Sequence, residues 1–112
     1  MMGHLDVPGL TQPGVPASVD PAAYAYLRDV IGHEGLIVTD EISGMAAVAD
    51  RYDASEATIA ALTAGADLVL LADPGPLDEL IDDIEMAIQD GRLSLDQIDA
   101  AAARVATAKV CR

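Results

Sequence analysis

Basic residues are scarce: six Lys and Arg stand against nineteen Asp and Glu, a formal net charge of −13 over 112 residues. A chain so charged repels a phosphate backbone, which makes nucleic acid and anionic membrane surfaces poor candidate partners. The acids are scattered rather than blocked, so the surplus reads as a solvated surface. Cysteine is represented only by Cys111. No internal disulfide is available, and a thiol so near the end is assigned no role. Phe and Trp are missing and only Tyr24, Tyr26 and Tyr52 represent the aromatics, which argues against a module that binds bases or sugars by stacking. The opening MMGHLDVPGL lacks the basic and long apolar regions of a secretory signal, and no stretch reaches the length of a membrane span. The chain reads as soluble as written; its compartment, and any leader or lipid anchor upstream, stays open.

What is present is an alternation of helices and strands. The segment LDVPGLTQPGVPASV, residues 5–19, reads as an extended loop. Asp20 followed by Pro21 starts a helix, because the Asp side chain accepts a backbone N–H and Pro at the first position loses no hydrogen bond. Its apolar face is read as Ala23, Leu27, Val30 and Ile31, with a stop at Gly32. A strand follows over about 36–39. Asp53 and Glu56 form a capping-box pattern for a helix ending at Gly65, and ADLVLLA, 66–72, is a second apolar strand. Leu77, Leu80, Ile81, Ile84 and Ile88 recur at helical spacing up to Gly91. Ser94 and Gln97 cap a last helix bearing Ile98, Ala101, Ala102, Val105 and Ala108.

Both strands are short and wholly apolar, the pattern of parallel strands covered on both faces, so the fold class is α/β. Two strands are too few for a stable parallel sheet. MMGH, residues 1–4, reads as the tail of a third strand, and the whole as a piece of a larger fold. Chemistry in such folds sits at the carboxyl ends of strands. Asp40 ends the first strand and His4 the partial one. Composition leaves open whether Asp40 serves a site or merely solvates a loop. His4 either lines a pocket or holds a loop. His33, in the turn GHEG, lies at the opposite end, exposed. Asp67 begins a strand and is read as capping or bonding backbone, Asp6 as a loop residue. Glu41 either faces solvent or holds a neighbour. No His/Cys/Asp/Glu cluster has ligand spacing for a metal and no Gly-rich phosphate loop follows either strand, so no cofactor is expected.

GLIVTDEISGM, preceded by PASVDP and LRDVIGHEG and followed by ADRYDASEATIAALTAGADLVLLADP, resembles the C-terminal part of the catalytic barrel of glycoside hydrolase family 3, within it the β-N-acetylglucosaminidase branch. The likeness covers residues 2–109 and implies a partial (β/α)₈ barrel of which residues 1–112 are the C-terminal fragment. In that family the strand ending in V-T-D presents the nucleophile, which maps onto Asp40. Related β-glucosidases continue S-D-W, whereas TDEISGM has no Trp and carries a Met, as the hexosaminidase type does. Gly44 places Met45 five residues after Asp40 rather than the usual four. The resemblance implies a retaining mechanism on β-linked amino sugars, with Asp40 ionised as nucleophile and His4 and Met45 as candidate substrate contacts. The family's acid/base, a His paired with an Asp, follows a K-H-F-P-G-H-G type segment that these residues do not contain. The chain alone is therefore expected to be inactive. A full barrel takes roughly 250 residues. The alternatives are a β-glucosidase type, or a non-catalytic assembly module whose exposed sheet edge is covered by a partner chain.

Overall fold

The computed structural model describes residues 1–109, and Cys111 lies outside them. The loop before the first helix is fastened by its own side chains. Gly14 N–H donates to Asp6 Oδ2 at 2.9 Å and Val7 N–H to Thr11 Oγ1 at 2.9 Å. Buried Asp20 holds both sides of the junction, accepting from Ala22 N–H at 2.9 Å and from Gln12 N–H at 2.7 Å. The Asp20–Pro21 start is thus observed, after a short 3-10 turn at Ala17–Val19.

Helix α1, Pro21–Ala25, then widens into a π turn over Tyr26–Val30, where Ile31 N–H reaches Tyr26 O at 3.0 Å. An i→i+5 turn inserts one residue and rotates all that follows. This corrects the expected apolar face. Ala23 is buried and Leu27 packs against the core, but Val30 and Ile31 face outward. Tyr24 takes the buried position instead and donates its hydroxyl to Ser18 O at 2.7 Å. Burial pushes its phenol well above the usual range, with the Asp67 carboxylate adding to the effect. The helical run ends before Gly32, whose φ is +74°.

Strand β1 is Val38–Glu41, displaced from the expected 36–39. The reason is a side chain: Asp67 Oδ2 accepts from Ile37 N–H at 2.8 Å, and the ladder begins at Val38, two residues later than expected. Strand β2, Leu68–Leu70, pairs parallel to β1 and is shorter than the expected 66–72. The register passes from Val38 and Leu68 to Glu41 and Leu70, leaving one extra residue on β1. Thr39 Oγ1 accepts from Leu70 N–H at 3.0 Å beside that irregularity. On the other side of β1, Met2 forms a parallel bridge with Thr39, donating to Val38 O at 2.7 Å and accepting from Asp40 N–H at 2.8 Å. The expected third strand is present as this one bridge, and β1 is central. Coverage of both faces, the other expectation, is not met at β2: Leu68 and Leu70 are each 44% exposed.

A short helix α2, Ala46–Ala49, follows β1 in a stretch to which the sequence reading assigned no element. Helix α3, Ala54–Ala64, opens on the expected capping box, Asp53 accepting from Glu56 N–H at 2.8 Å and Glu56 from Asp53 N–H at 3.2 Å. Its buried Ala57, Ala61 and Ala64 form a low surface on which the 3-10 turn and α1 lie close. Gly65 ends it at φ +126°, a conformation L side chains rarely adopt, and a Cβ there would stand 3.0 Å from Tyr24 Cβ. Helices α4, Leu77–Gln89, and α5, Leu95–Ala108, complete the order. Leu80, Ala87, Leu93 and Ala101 are buried, while Leu77, Ile81, Ala102 and Ala108 stay exposed. The expected Ser94–Gln97 cap is not formed: Ser94 makes no cap bond, and Gln97 instead donates to Thr63 O at 3.2 Å. A carbonyl in the last turn of α3 has no intrahelical partner, and it draws the amide away.

The elements meet at Asp67, whose side chain is 1% exposed. Besides Ile37 N–H it accepts from Arg28 Nη2 at 2.7 Å and from Arg104 Nη1 at 2.8 Å. Asp67→Ala strands a half-buried guanidinium and a buried N–H, and is expected to cost about 3–5 kcal/mol in urea unfolding. Arg104→Ala, whose side chain is 36% exposed, should cost about 1 kcal/mol or less. Gly65→Ala is expected to lower stability by more than about 1 kcal/mol in the same measurement.

Candidate active site

The residues that end β1 lie between two buried anchors. Thr39 and Ile42 are both 0% exposed, and Ile42 N–H donates to Leu70 O at 3.0 Å. Asp40 and Glu41 are therefore presented by a backbone that cannot shift without breaking the sheet. Asp40 is half-buried, and its Oδ1 accepts from Glu41 N–H at 2.8 Å. No bond to its Oδ2 is found among the described residues. A carboxylate with one oxygen tied and the other open is oriented yet able to act as an acceptor or nucleophile.

Glu41 is used quite differently. Its Oε1 accepts from Ser43 N–H at 2.6 Å, from the Ser43 hydroxyl, and from Ala72 N–H at 3.1 Å. Its Oε2 accepts from Gly44 N–H at 2.9 Å. The Ser43 hydroxyl oxygen in turn accepts from Ala72 N–H at 3.2 Å and Asp73 N–H at 3.0 Å. One carboxylate and one hydroxyl thus tie the loop after β1 to the loop after β2. Sequence reasoning left Glu41 between solvent and a neighbour, and it holds neighbours. Ser43 was not singled out. The signal was an acid followed two residues later by Ser and Gly, a spacing at which side chains bond nearby backbone N–H groups.

His4 uses both ring nitrogens inside the chain, Nδ1 with Ser18 Oγ at 2.7 Å and Nε2 with Glu41 O at 2.6 Å. Its ring borders an open recess of about 280 Å³ with Asp6, Pro16, Ala47, Asp50 and Arg51; Asp40 is not among the lining residues. The Met45 side chain is 45% exposed, and its carbonyl starts α2 by accepting from Val48 N–H at 2.9 Å and Ala49 N–H at 2.8 Å. The structure therefore ties both His4 and Asp40 to the backbone of Glu41, His4 at its carbonyl and Asp40 at its N–H, and sets Met45 on the loop that Glu41 holds. His33 is exposed at the other end of the strand, its Nε2 3.3 Å from Leu36 O. Among the described residues no group of three or more His, Cys, Asp and Glu is placed to hold a metal ion, and no helix is long and apolar enough to cross a membrane.

Hydrogen bonding from the Ser43 hydroxyl, the largest cause, outweighs the opposing desolvation that comes next, and with the Ala72, Gly44 and Ser43 N–H groups it holds Glu41 down to about 2 from its ordinary 4.5. A folded-state value below the ordinary one means that this carboxylate stabilises the fold fully above about 4.5, and that the contribution is lost as pH falls toward 2. In a carboxyl ¹³C NMR titration Glu41 is expected to titrate near the lower value. Ser43→Ala should return it toward the ordinary one.

Comparison with known proteins agrees with the architecture. Over 114 aligned residues the chain is 40% identical to beta-hexosaminidase LpqI of Mycobacterium tuberculosis, spanning 97% of this chain and 29% of that protein. The solved structure of M. tuberculosis LpqI superposes with a TM-score of 0.88 at 38% identity, over 98% of this chain and 33% of the other. A family member from Mycobacterium smegmatis gives a TM-score of 0.87 at 37% identity, over 94% and 34%. The chain thus spans about a third of these proteins. Residues 1–108 match the family described as glycosyl hydrolase family 3 N terminal domain, and the chain belongs to that family.

Proposed function

We propose that the chain is the C-terminal portion of the (β/α)₈ catalytic barrel of a retaining glycoside hydrolase acting on β-linked amino sugars, with Asp40 as nucleophile. The observation that carries this reading is the placement of Asp40 at the carboxyl end of the central strand, with one oxygen oriented by Glu41 N–H and the other open. Family membership and the β-hexosaminidase relatives support the reaction class and the amino sugar. The open oxygen attacks the anomeric carbon and forms a glycosyl ester. A second group protonates the departing oxygen and later draws a proton from water. In retaining enzymes the two groups stand about 5–5.5 Å apart.

The residues of this chain supply one partner of that pair. Glu41 keeps its lone pairs occupied by N–H and O–H donors, and both His4 nitrogens are engaged. The acid/base is therefore assigned to the His/Asp loop of the wider family, and the 112 residues alone are assigned no turnover. His4 and Met45 are proposed to border the sugar, as the resemblance implies: His4 is tied to the carbonyl of Glu41, the residue after Asp40, and Met45 is 45% exposed on the loop that follows. The half-exposed Leu68 and Leu70 favour a β2 face covered by further strands of the barrel. A partner chain in that place is the alternative.

The test uses the native polypeptide that carries this sequence, assayed on aryl β-N-acetylglucosaminide and aryl β-glucoside. Faster turnover of the N-acetylglucosaminide is expected, and Asp40→Asn should lower it about 10³-fold or more. Preference for the glucoside would move the protein to the β-glucosidase type. Full turnover by Asp40→Asn would overturn the nucleophile assignment, and absence of turnover in the wild type would leave an assembly role.

A further inference from the structure

We propose that Glu41 is a positioning residue for the reaction assigned to Asp40: it immobilises the peptide that aims the Asp40 carboxylate and couples that peptide to the loop after β2. This rests on the reading of Asp40 as nucleophile and adds to it a second residue with a different job. The argument begins with the number of ways in which Glu41 is held. Its N–H donates to Asp40 Oδ1 at 2.8 Å, and its carbonyl accepts from His4 Nε2 at 2.6 Å. Its carboxylate gathers N–H groups of Ser43, Gly44 and Ala72 together with the Ser43 hydroxyl. Backbone donor, backbone acceptor and side chain are all committed. The orientation of residue 41, and with it the Asp40 oxygen that its N–H holds, follows from those three attachments.

Two other roles for Glu41 conflict with the same geometry. A general acid must carry a proton to give away, yet this carboxylate faces donors on both oxygens and is stabilised as the anion. A nucleophile needs a free lone pair aimed at substrate, and these lone pairs are directed into the loops. What remains is placement. A reacting group displaced by about 1 Å can lose about 10²-fold in rate. The Asp73 and Ala72 N–H groups also bond Ser43 Oγ, so the β2 loop reaches Asp40 through one continuous set of bonds.

Glu41→Gln is a sharp probe because it keeps the shape. Whichever way the amide is turned, its NH₂ meets an N–H donor, at Gly44 in one orientation and at Ser43 and Ala72 in the other. In the native polypeptide, on aryl β-N-acetylglucosaminide, kcat is expected to fall about 30- to 100-fold with KM within about threefold. The melting temperature should stay within about 3 °C. Ser43→Ala, which removes a single hydroxyl, should lower kcat about tenfold, and the double variant should lose no more than Glu41→Gln alone. Azide added to Asp40→Ala should restore release of the aryl group by attacking the anomeric carbon in place of the lost carboxylate, with glycosyl azide as the product, and should do nothing for Glu41→Gln. Unchanged kcat in both Glu41→Gln and Ser43→Ala overturns the proposal, as does a rise in KM alone or azide rescue of Glu41→Gln. Should Glu41→Gln fail to fold, Ser43→Ala carries the test. Full activity in Asp40→Ala overturns the nucleophile reading itself, and this proposal with it.

Discussion

One buried carboxylate organises the amino end of the sheet. Asp67 accepts from Ile37 N–H, Arg28 and Arg104 at 2.8, 2.7 and 2.8 Å, so the entry to β1, the π turn, the entry to β2 and α5 converge on two oxygen atoms. Removing a charge from water costs several kcal/mol, which only full pairing offsets. The arrangement meets that condition, because the backbone donor and both guanidiniums point at the same group. The carboxyl end of the strands has a matching device in Glu41, which gathers the loops after β1 and β2. From one acid to the other runs β1, entered at Ile37 and carrying Asp40 near its end. The strand is thus pinned at its entrance by one carboxylate and steadied at its exit by another.

What could be read from the sequence divides by the distance over which a bond acts. Asp20 with Pro21, Asp53 with Glu56, and the stops at Gly32 and Gly65 were legible, because each depends on residues a few positions apart. Asp40 was legible as an acid terminating an apolar run, and the resemblance gave it a role. Bonds across 30 or more residues were not legible. Asp67 moved the start of β1 through Ile37, and Thr63 drew Gln97 from its cap. The attachment of Glu41 to Ala72 has a backbone N–H as its far end, which leaves no mark in a sequence. The π turn was missed for another reason: Val30 and Ile31 fit an ideal helical face, and only the tertiary position of Arg28 and Tyr24 shows that the helix is not ideal.

The negative surplus also acquires a place in the structure. Glu56, Asp78, Glu79 and Asp96 stand in the first turns of α3, α4 and α5, where the helix macrodipole favours an anion. Arg28, Arg92 and Arg104 are drawn into ion pairs with Asp67 and Asp90. Charge that seemed only to keep the surface wet is partly spent on helix starts and on the Asp67 junction, while Asp40 keeps an oxygen outside both.

The brace at His4 has a consequence for where its proton sits. A carbonyl only accepts, so the Nε2 that faces Glu41 O at 2.6 Å must bear the hydrogen. In the neutral ring Nδ1 is then an acceptor, and the Ser18 hydroxyl donates to it at 2.7 Å. Its two partners thus fix the ring in one tautomer, and Glu41, the residue beside Asp40, is braced through its carbonyl by a side chain that is itself held at both nitrogens.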